Sequence, residues 1–498
     1  MASIALRCLA KARPSPVAPS RLAAALVPTI ASSSAPFSTA PALFAEKGKH
    51  IIKGRAKKNY KKKASTTKAR TPAPGERKAF RKRIQLSNNN AIAVSGLGDL
   101  APESMSSDAA KGTVMGIPDR VVDQLRSVEA FRPGQSWGLF RRPHILVRSE
   151  ASDVAKMMDK ARENKSTLRL VLNGGKVTGK STMLLSAMTH AFLNKWIVVH
   201  IPEGMSHAPQ VFGMGPPSPV WPYSCPFKPV SNSRLAFQLT NAHTDYAPIP
   251  DTEPPQFSQP AYSLKLLQSL IKANGDLLSS LTVTGDYSKV SHMAHLGKTP
   301  TIAELANSCR EMDHAWPTLS AVWTELTTVP GRPPILFTLD GLPFVMRESA
   351  YRDTAFNPVH AHELSTVRLF TEAMAGKTAF PNGAAVLATS GGNDNLKLPS
   401  LELLLAQLDA GSRGAEVPQP DPFERGYDDR VFDVLKDAGL VRVGGVSKEE
   451  ARSVMEYWAA SGMYLGAVTE PSTSTQWTLG GHGVLGEMER VAFRNMRC

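Results

Sequence analysis

The chain has 498 residues, which is long enough for roughly two or three domains with their own cores. Its formal net charge is +15, and its four cysteines include no pair at C-x-x-C spacing, so neither a disulfide framework nor a zinc site is indicated. No run of about 18 or more apolar residues occurs, and we therefore expect no membrane span.

The positive charge is concentrated near the N-terminus. Residues 1–45 contain four basic residues and no acidic one, and residues 46–83 contain 16 basic residues against two acidic ones. Because these segments hold charges of +4 and +14 out of a total of +15, residues 84–498 carry a net charge of −3. The remainder of the chain is therefore nearly neutral.

Residues 1–45 have the composition of a mitochondrial transit peptide, since they contain Arg and Ser but no acid. A secretory signal would need a longer unbroken apolar core, which Arg7, Lys11 and Arg13 interrupt. We therefore predict import into the mitochondrial matrix. The alternative is a basic terminus without a targeting role.

Residues 46–83 predict a disordered basic tail, because dense like charge with few apolar side chains cannot form a core. Such a tail can release counterions from an RNA backbone, and Tyr60 and Phe80 can stack on bases. A Ser-, Gly- and Asn-rich stretch follows, so residues 46–117 are interpreted as an RNA-contacting tail and linker. We expect no DNA partner, and a merely solvated tail remains the alternative.

Residues 174–181 read GGKVTGKS, which matches the phosphate-loop pattern G-x-x-x-x-G-K-[ST]. An apolar strand pattern precedes the motif and an amphipathic helix pattern follows it, as the motif requires. In that setting the Lys180 ammonium reaches the β- and γ-phosphates, and the Ser181 hydroxyl binds Mg²⁺. An ordinary Gly-rich turn is the alternative. The predicted nucleotide-binding residues are Gly174, Gly175, Lys176, Val177, Thr178, Gly179, Lys180, Ser181, Thr182 and Ser390.

Three further apolar runs are typical of central strands, at residues 196–201, 334–340 and 384–390. Strands separated by helical stretches predict an α/β fold with a parallel sheet, whose ligands lie at the carboxyl ends of the strands. Asp340 ends the second run, where a carboxylate that binds Mg²⁺ together with Ser181 is expected. A buried Asp that only caps the next turn is the alternative.

Hydrolysis is predicted to be weak at most. Active ATPases of the AAA+ type usually carry a Glu after this Asp, and here the neighbour is Gly341. Thr389, Ser390 and Asn393 either sense the γ-phosphate or only end a strand, and both readings stay open. No N-K-x-D element, which would read a guanine base, is present, so the motifs leave the base undetermined. The expected ligand is GTP or GDP, with ATP possible, together with Mg²⁺.

Residues 118–407 are predicted to form the nucleotide-binding domain. They contain a proline-rich insertion at residues 205–260, which is typical of a binding surface rather than a free loop. Helices are predicted at residues 262–281 and 301–327, with a possible break at Pro317.

Residues 408–498 are predicted to form a small helical lid or a winged-helix-like domain. Two helical patterns cover residues 428–438 and 447–461. Ser447 and Glu450 have the spacing of a capping box at the start of the second pattern.

Across residues 120–465 the chain resembles the death-associated protein 3 family. The resemblance rests on six segments in this order: GGKVTGKS, WIVVHIP, QPAYSLKLLQSL, LDGL, GAAVLATSGG and GLVRVGGVSKEEARSVMEYWAASGMY. It implies a P-loop NTPase of AAA+-like fold, with helices on both faces of the sheet. It also implies a place in the small subunit of the mitochondrial ribosome, beside its ribosomal RNA and other mitochondrial ribosomal proteins. The purine nucleotide is then largely a structural ligand.

Two other functions remain possible from the sequence. One is a working AAA+-type ATPase of the matrix, for which Arg347, Arg352 or Arg368 could act as an arginine finger on a neighbouring subunit. The other is a switch in which the nucleotide state controls partner binding.

Overall fold

Five strands form one parallel sheet at the centre of the computed structural model. The structure describes residues 84–493 except 133, 203–245, 251, 253, 288–289, 298, 392–397 and 425. The predicted transit peptide, the basic tail up to residue 83 and most of the proline-rich insertion therefore lie outside the described residues.

The strands of the described residues include the five of the central sheet and six in short antiparallel pairs. They are β1 (Val114–Gly116), β2 (His144–Leu146), β3 (Thr167–Asn173), β4 (Ile197–Ile201), β5 (Ala247–Ile249), β6 (Gln256–Ser258), β7 (Ile335–Leu339), β8 (Glu348–Arg352), β9 (Pro358–His360), β10 (Ala384–Thr389) and β11 (Gly439–Arg442).

The α-helices of the described residues cover both faces and the C-terminal region. They are α1 (Asp119–Ser127), α2 (Ser149–Glu163), α3 (Lys180–Leu193), α4 (Pro260–Ser280), α5 (Ile302–Asn307), α6 (Ala315–Thr328), α7 (Ser365–Met374), α8 (Pro399–Arg413), α9 (Asp429–Leu435), α10 (Lys448–Ala460), α11 (Glu470–Leu479) and α12 (Leu485–Ala492).

The central sheet has the strand order β11-β3-β10-β7-β4, and all of its pairs are parallel. In register, Thr389 of β10 lies beside Leu172 of β3, and Ala388 lies beside Leu339 of β7. The carboxyl ends of these three strands consequently meet at one edge of the sheet. Parallel α/β sheets bind ligands at this edge.

Helices bury both faces of the sheet, and successive side chains of a strand point to opposite faces. Ile335, Phe337 and Leu339 of β7 pack into the cluster that α4 to α9 cover, whereas Leu336 packs into the cluster of α1, α2 and α3. This explains why β4, β7 and β10 read as continuous apolar runs rather than as alternating patterns. The prediction of a parallel α/β sheet flanked by helices is confirmed.

A third hydrophobic cluster joins α10, α11 and α12, which are called the C-terminal helices below. Met455 and Trp458 of α10 pack with Met488 of α12 and with Phe140, which comes from the segment before β2. The C-terminal helices therefore share a core with the N-terminal part of the described chain. None of the described helices is long and apolar enough to cross a membrane.

The capping box predicted at Ser447 and Glu450 is confirmed at the start of α10. The prediction of one helix over residues 301–327, with a break at Pro317 if any, is wrong, because α5 ends at Asn307 and α6 begins at Ala315. Pro317 does not cause this break. Pro317 lies in the first turn of α6. Proline is tolerated there because the backbone N–H groups of the first turn have no acceptor within the helix, so the N–H that proline lacks is not missed.

We expect Phe337→Ala to lower the free energy of unfolding by about 3–5 kcal/mol, the usual cost of such a cavity. Phe337 is 1% exposed, and its ring centroid lies 5.1 Å from that of Trp323 and 5.2 Å from that of Phe370. Denaturant unfolding of the full chain measures the loss. Phe423→Ala is the matched control, since Phe423 is 88% exposed and should change stability by less than about 0.5 kcal/mol.

Candidate functional site

Asp340 is the centre of a polar cluster at the carboxyl edge of the sheet. Its Oδ1 atom accepts a hydrogen bond from the Thr389 hydroxyl at 2.5 Å and one from the Ser181 hydroxyl at 3.3 Å. The Thr389 hydroxyl in turn accepts the Gly341 N–H at 2.9 Å. The parallel register therefore brings together a carboxylate and two hydroxyls from three separate parts of the sequence.

The 174–181 loop runs from the end of β3 into the first two residues of α3 and has a tight backbone path. Val177 and Gly179 both have positive φ angles, of 60° and 101°. At Gly174 a β-carbon would lie 2.3 Å from the Val443 carbonyl oxygen, so no larger side chain fits without movement of the backbone. The loop is thus pressed against the chain that follows β11.

Lys180 is buried at the first turn of α3, where its ammonium holds the loop closed. It donates to the carbonyl oxygens of Gly174 at 2.7 Å and Gly175 at 2.6 Å. The hydroxyl of Thr178 donates to the Gly175 carbonyl at 3.0 Å, and that of Thr182 donates to the Gly179 carbonyl at 2.6 Å. The unpaired N–H groups and dipole at the start of a helix favour an anion at this position.

Two arginines outside the motif also shape the site. Arg148 is 3% exposed and donates to the carbonyl oxygens of Thr178 at 2.9 Å and Gly444 at 3.0 Å, so it ties the loop to the chain after β11. Arg132 forms an ion pair with the Oδ2 atom of Asp340. Neither arginine was predicted from the sequence, because both lie far from the motif and belong to no pattern of their own.

His200 lies next to this ion pair without adding charge to it. Burial lowers the pKa of His200 to about 4, although the nearby Asp340 opposes the shift. Its Nδ1 atom lies 2.8 Å from the Thr338 hydroxyl. At neutral pH the imidazole is therefore uncharged, and the positive charge beside Asp340 comes from Arg132.

A cavity of about 620 Å³ opens between the 174–181 loop and the C-terminal helices. This volume lies within the range of about 300–1,000 Å³ that is usual for small-molecule sites. Asp340, Thr389 and Arg132 form part of one wall, and α10 and α12 form another. The N–H of Gly486 in α12 donates to the Val177 carbonyl at 3.2 Å, so α12 contacts the loop directly.

One part of the cavity wall is aromatic. The ring of His144 lies 4.6 Å from that of Phe140 and 4.1 Å from that of Tyr457, between ring centroids. Burial lowers the pKa of His144 to about 4, so this ring is also neutral near pH 7. The cavity thus combines a polar side suited to an anion with an aromatic side suited to a planar ring.

Most of the predicted nucleotide-binding residues lie on this cavity. Its lining includes Lys176, Val177, Thr178, Gly179, Lys180, Ser181 and Thr182. Gly174 and Gly175 accept the hydrogen bonds from Lys180. Ser390 is placed differently, since its N–H donates to the Leu172 carbonyl at 3.0 Å, and it is the hydroxyl of the neighbouring Thr389 that donates to Asp340. Asn393 lies outside the described residues.

The donor set fits a magnesium ion. The Ser181 hydroxyl and the Asp340 carboxylate are adjacent oxygen groups of the kind that Mg²⁺ binds alongside water and phosphate oxygens.

The residue after Asp340 has a left-handed backbone. Gly341 has a φ angle of 99°. A Glu in its place would have to adopt a backbone conformation that is rare for any residue with a β-carbon. The backbone at position 341 therefore disfavours a general base there.

We expect Gly174→Ala to destabilise the folded chain by about 1–3 kcal/mol, the usual cost of overpacking. The new methyl group would meet the Val443 carbonyl oxygen, which is backbone and cannot turn away. Gly175→Ala is the matched control, because its nearest neighbour would be the Thr178 methyl group at an ordinary 3.5 Å. Thermal unfolding of both variants measures the difference, and equal melting temperatures would contradict this account of the loop.

Comparison with known proteins identifies the family. The chain matches the family described as mitochondrial ribosomal death-associated protein 3 over residues 145–208 and 230–491. It is also 44% identical over 444 residues to the small ribosomal subunit protein mS29 of Neurospora crassa, an alignment that covers 89% of this chain and 87% of that protein. The resemblance noted from the sequence is thereby confirmed, and the chain belongs to the mitochondrial ribosomal death-associated protein 3 family.

Proposed function

We propose that this protein is a structural constituent of the mitochondrial small ribosomal subunit and holds a purine nucleotide with Mg²⁺ at the 174–181 loop. The observation that carries the nucleotide part is the convergence of this loop with Asp340 and Thr389 on one cavity. The ribosomal part is supported by the family and by the relative named as a small ribosomal subunit protein. The proposed location is the mitochondrial matrix.

The polar side of the cavity suits the phosphates of the nucleotide. The N-terminus of α3 supplies backbone N–H groups, and Lys180 supplies a positive charge that the loop carbonyls now engage. Phosphate oxygens are stronger acceptors for an ammonium than neutral carbonyls, because the hydrogen bond is then between two charged groups. We therefore propose that Lys180 exchanges these carbonyls for phosphate oxygens, while Ser181 and Asp340 hold Mg²⁺.

The bound nucleotide is proposed to stabilise rather than to drive motion. Gly341 has no side chain that could act as a general base. Its positive φ angle also disfavours any substitution that would introduce one. A ligand that binds only the folded state stabilises that state by mass action. In this role the nucleotide joins the loop to α10 and α12, which line the same cavity.

The proposed partners are the small-subunit ribosomal RNA and other mitochondrial ribosomal proteins. Residues 84–498 carry a net charge of only −3, so the attraction to RNA is assigned to the basic residues 46–83. Sedimentation of tagged protein from a mitochondrial lysate tests this assignment. Comigration with the small ribosomal subunit supports it, whereas a free monomer or a ring-sized assembly would favour an AAA+-type ATPase or a switch.

We expect Lys180→Ala to lower nucleotide affinity and thermal stability together. If the ligand is present at about 100 times its dissociation constant, losing it costs about 2.7 kcal/mol. Calorimetric titration with GDP and ADP and thermal unfolding with and without them measure both effects. Lys160→Ala, at an exposed lysine of α2, is the control. An identical melting temperature with and without nucleotide in the unaltered chain would show that the loop binds no nucleotide. Hydrolysis of the nucleotide at about 1–100 s⁻¹ would contradict a structural role for it.

Deleting residues 46–83 while keeping residues 1–45 should flatten the salt dependence of RNA binding. Each phosphate neutralised on single-stranded RNA contributes about −0.7 to the slope of log affinity against log salt, so six contacts give roughly −4. Filter binding at several salt concentrations measures the slope, and sucrose gradients measure entry into the small subunit. Nucleotide binding should be unchanged. An unaltered slope with normal incorporation would move the RNA-binding surface to the rest of the chain.

A further inference from the structure

Asp340 already uses both of its carboxylate oxygens. Oδ1 accepts from the hydroxyls of Thr389 and Ser181, and Oδ2 pairs with the guanidinium of Arg132. The side chain of Asp340 is 6% exposed and that of Arg132 is 20% exposed, so solvent screens this pair weakly. A metal ion at Asp340 would thus meet a positive charge already bound there.

A hydrogen bond fixes the backbone of Arg132 at the cavity wall. Its N–H donates to the Oε1 atom of Gln135 at 2.8 Å, and the same oxygen accepts the indole N–H of Trp137 at 2.6 Å. Trp137 is buried, with its ring centroid 5.5 Å from that of Phe131. The guanidinium therefore extends from an anchored turn.

We propose that Arg132 and Mg²⁺ are alternative partners of Asp340, so that Arg132 makes nucleotide binding at this loop only weakly dependent on Mg²⁺. This inference rests on the proposed nucleotide site. The charge balance of that site is then set by a residue outside both the loop motif and β7.

The competition follows from charge and geometry. Mg²⁺ needs near-octahedral oxygen coordination at about 2.0–2.1 Å and gives up its water reluctantly, so a guanidinium already paired with the carboxylate is a strong competitor. Arg132 and Lys180 line the same cavity. When a metal ion binds Asp340, the displaced guanidinium of Arg132 can donate to phosphate oxygens instead. In either state one cation, the Arg132 guanidinium or Mg²⁺, faces Asp340, and Lys180 lies on the same cavity to face the phosphates.

The test is the ratio of nucleotide dissociation constants in excess EDTA and in excess Mg²⁺, measured by calorimetry on the full chain with GDP and with ADP. We expect a small ratio for the unaltered protein. In Arg132→Met the ratio should rise by about tenfold, the size expected when one charge-assisted competitor is lost. Arg126→Met is the matched control, because Arg126 is an exposed arginine of α1 that pairs with Asp123 at 3.2 Å.

Arg132→Met leaves a buried carboxylate without its ion pair and could fail to fold. Arg132→Lys keeps the positive charge but loses the forked geometry, so a folded lysine variant should show an intermediate ratio. Equal ratios in the unaltered chain, Arg132→Lys and any folded Arg132→Met would overturn the competition while leaving the nucleotide site intact. A large ratio in the unaltered chain would overturn it as well. Absence of binding by either nucleotide in both conditions would instead overturn the proposed function and this inference with it.

Discussion

The structure of the site depends on one buried carboxylate. Asp340 sits at the end of the strand next to β10 and is held by Thr389, Ser181 and Arg132. A buried charge is stable only when it is paired and hydrogen-bonded, so the strand register, the start of α3 and the turn at Arg132 are all constrained together. Each of these elements comes from a different part of the chain, and Asp340 is the point at which they meet.

A second set of contacts joins the loop to the C-terminal helices. Arg148 bridges the loop and the chain after β11, and Glu450 accepts from the N–H of Ser149 at the start of α2 and from the N–H of Ser447. Gly486 of α12 lies so close to the loop that a β-carbon there would come within 2.1 Å of a Val177 methyl group. A ligand in the cavity would therefore act on the C-terminal helices through short and mostly buried contacts.

This arrangement agrees with a nucleotide that serves as part of a scaffold. The left-handed backbone at Gly341 disfavours the acidic residue that activates water in AAA+ enzymes, and Arg132 is paired with the carboxylate that is proposed to bind Mg²⁺. In the proposed nucleotide site, both features would lower the capacity for hydrolysis and would leave Lys180 and the start of α3 to hold phosphates.

The sequence alone determined the local elements and the chemical character of the site. The apolar runs predicted β3, β4, β7 and β10, the capping box predicted the start of α10, and the GGKVTGKS motif placed Lys180 and Ser181 at the head of α3. These predictions succeed because strand patterns, helix caps and Gly-rich turns are set by residues close together in the chain.

Only the tertiary structure decided the rest. The short strand β11 has no distinctive pattern and was not predicted, since its place at the sheet edge is set by pairing with β3. The same holds for Arg132 and Arg148, which reach the site from segments with no motif. Thr389 rather than Ser390 contacts Asp340 because strand residues alternate in direction, and the register with β7 fixes which of the two faces the carboxylate. Contacts between distant segments depend on how the sheet is ordered, and no local pattern carries that information.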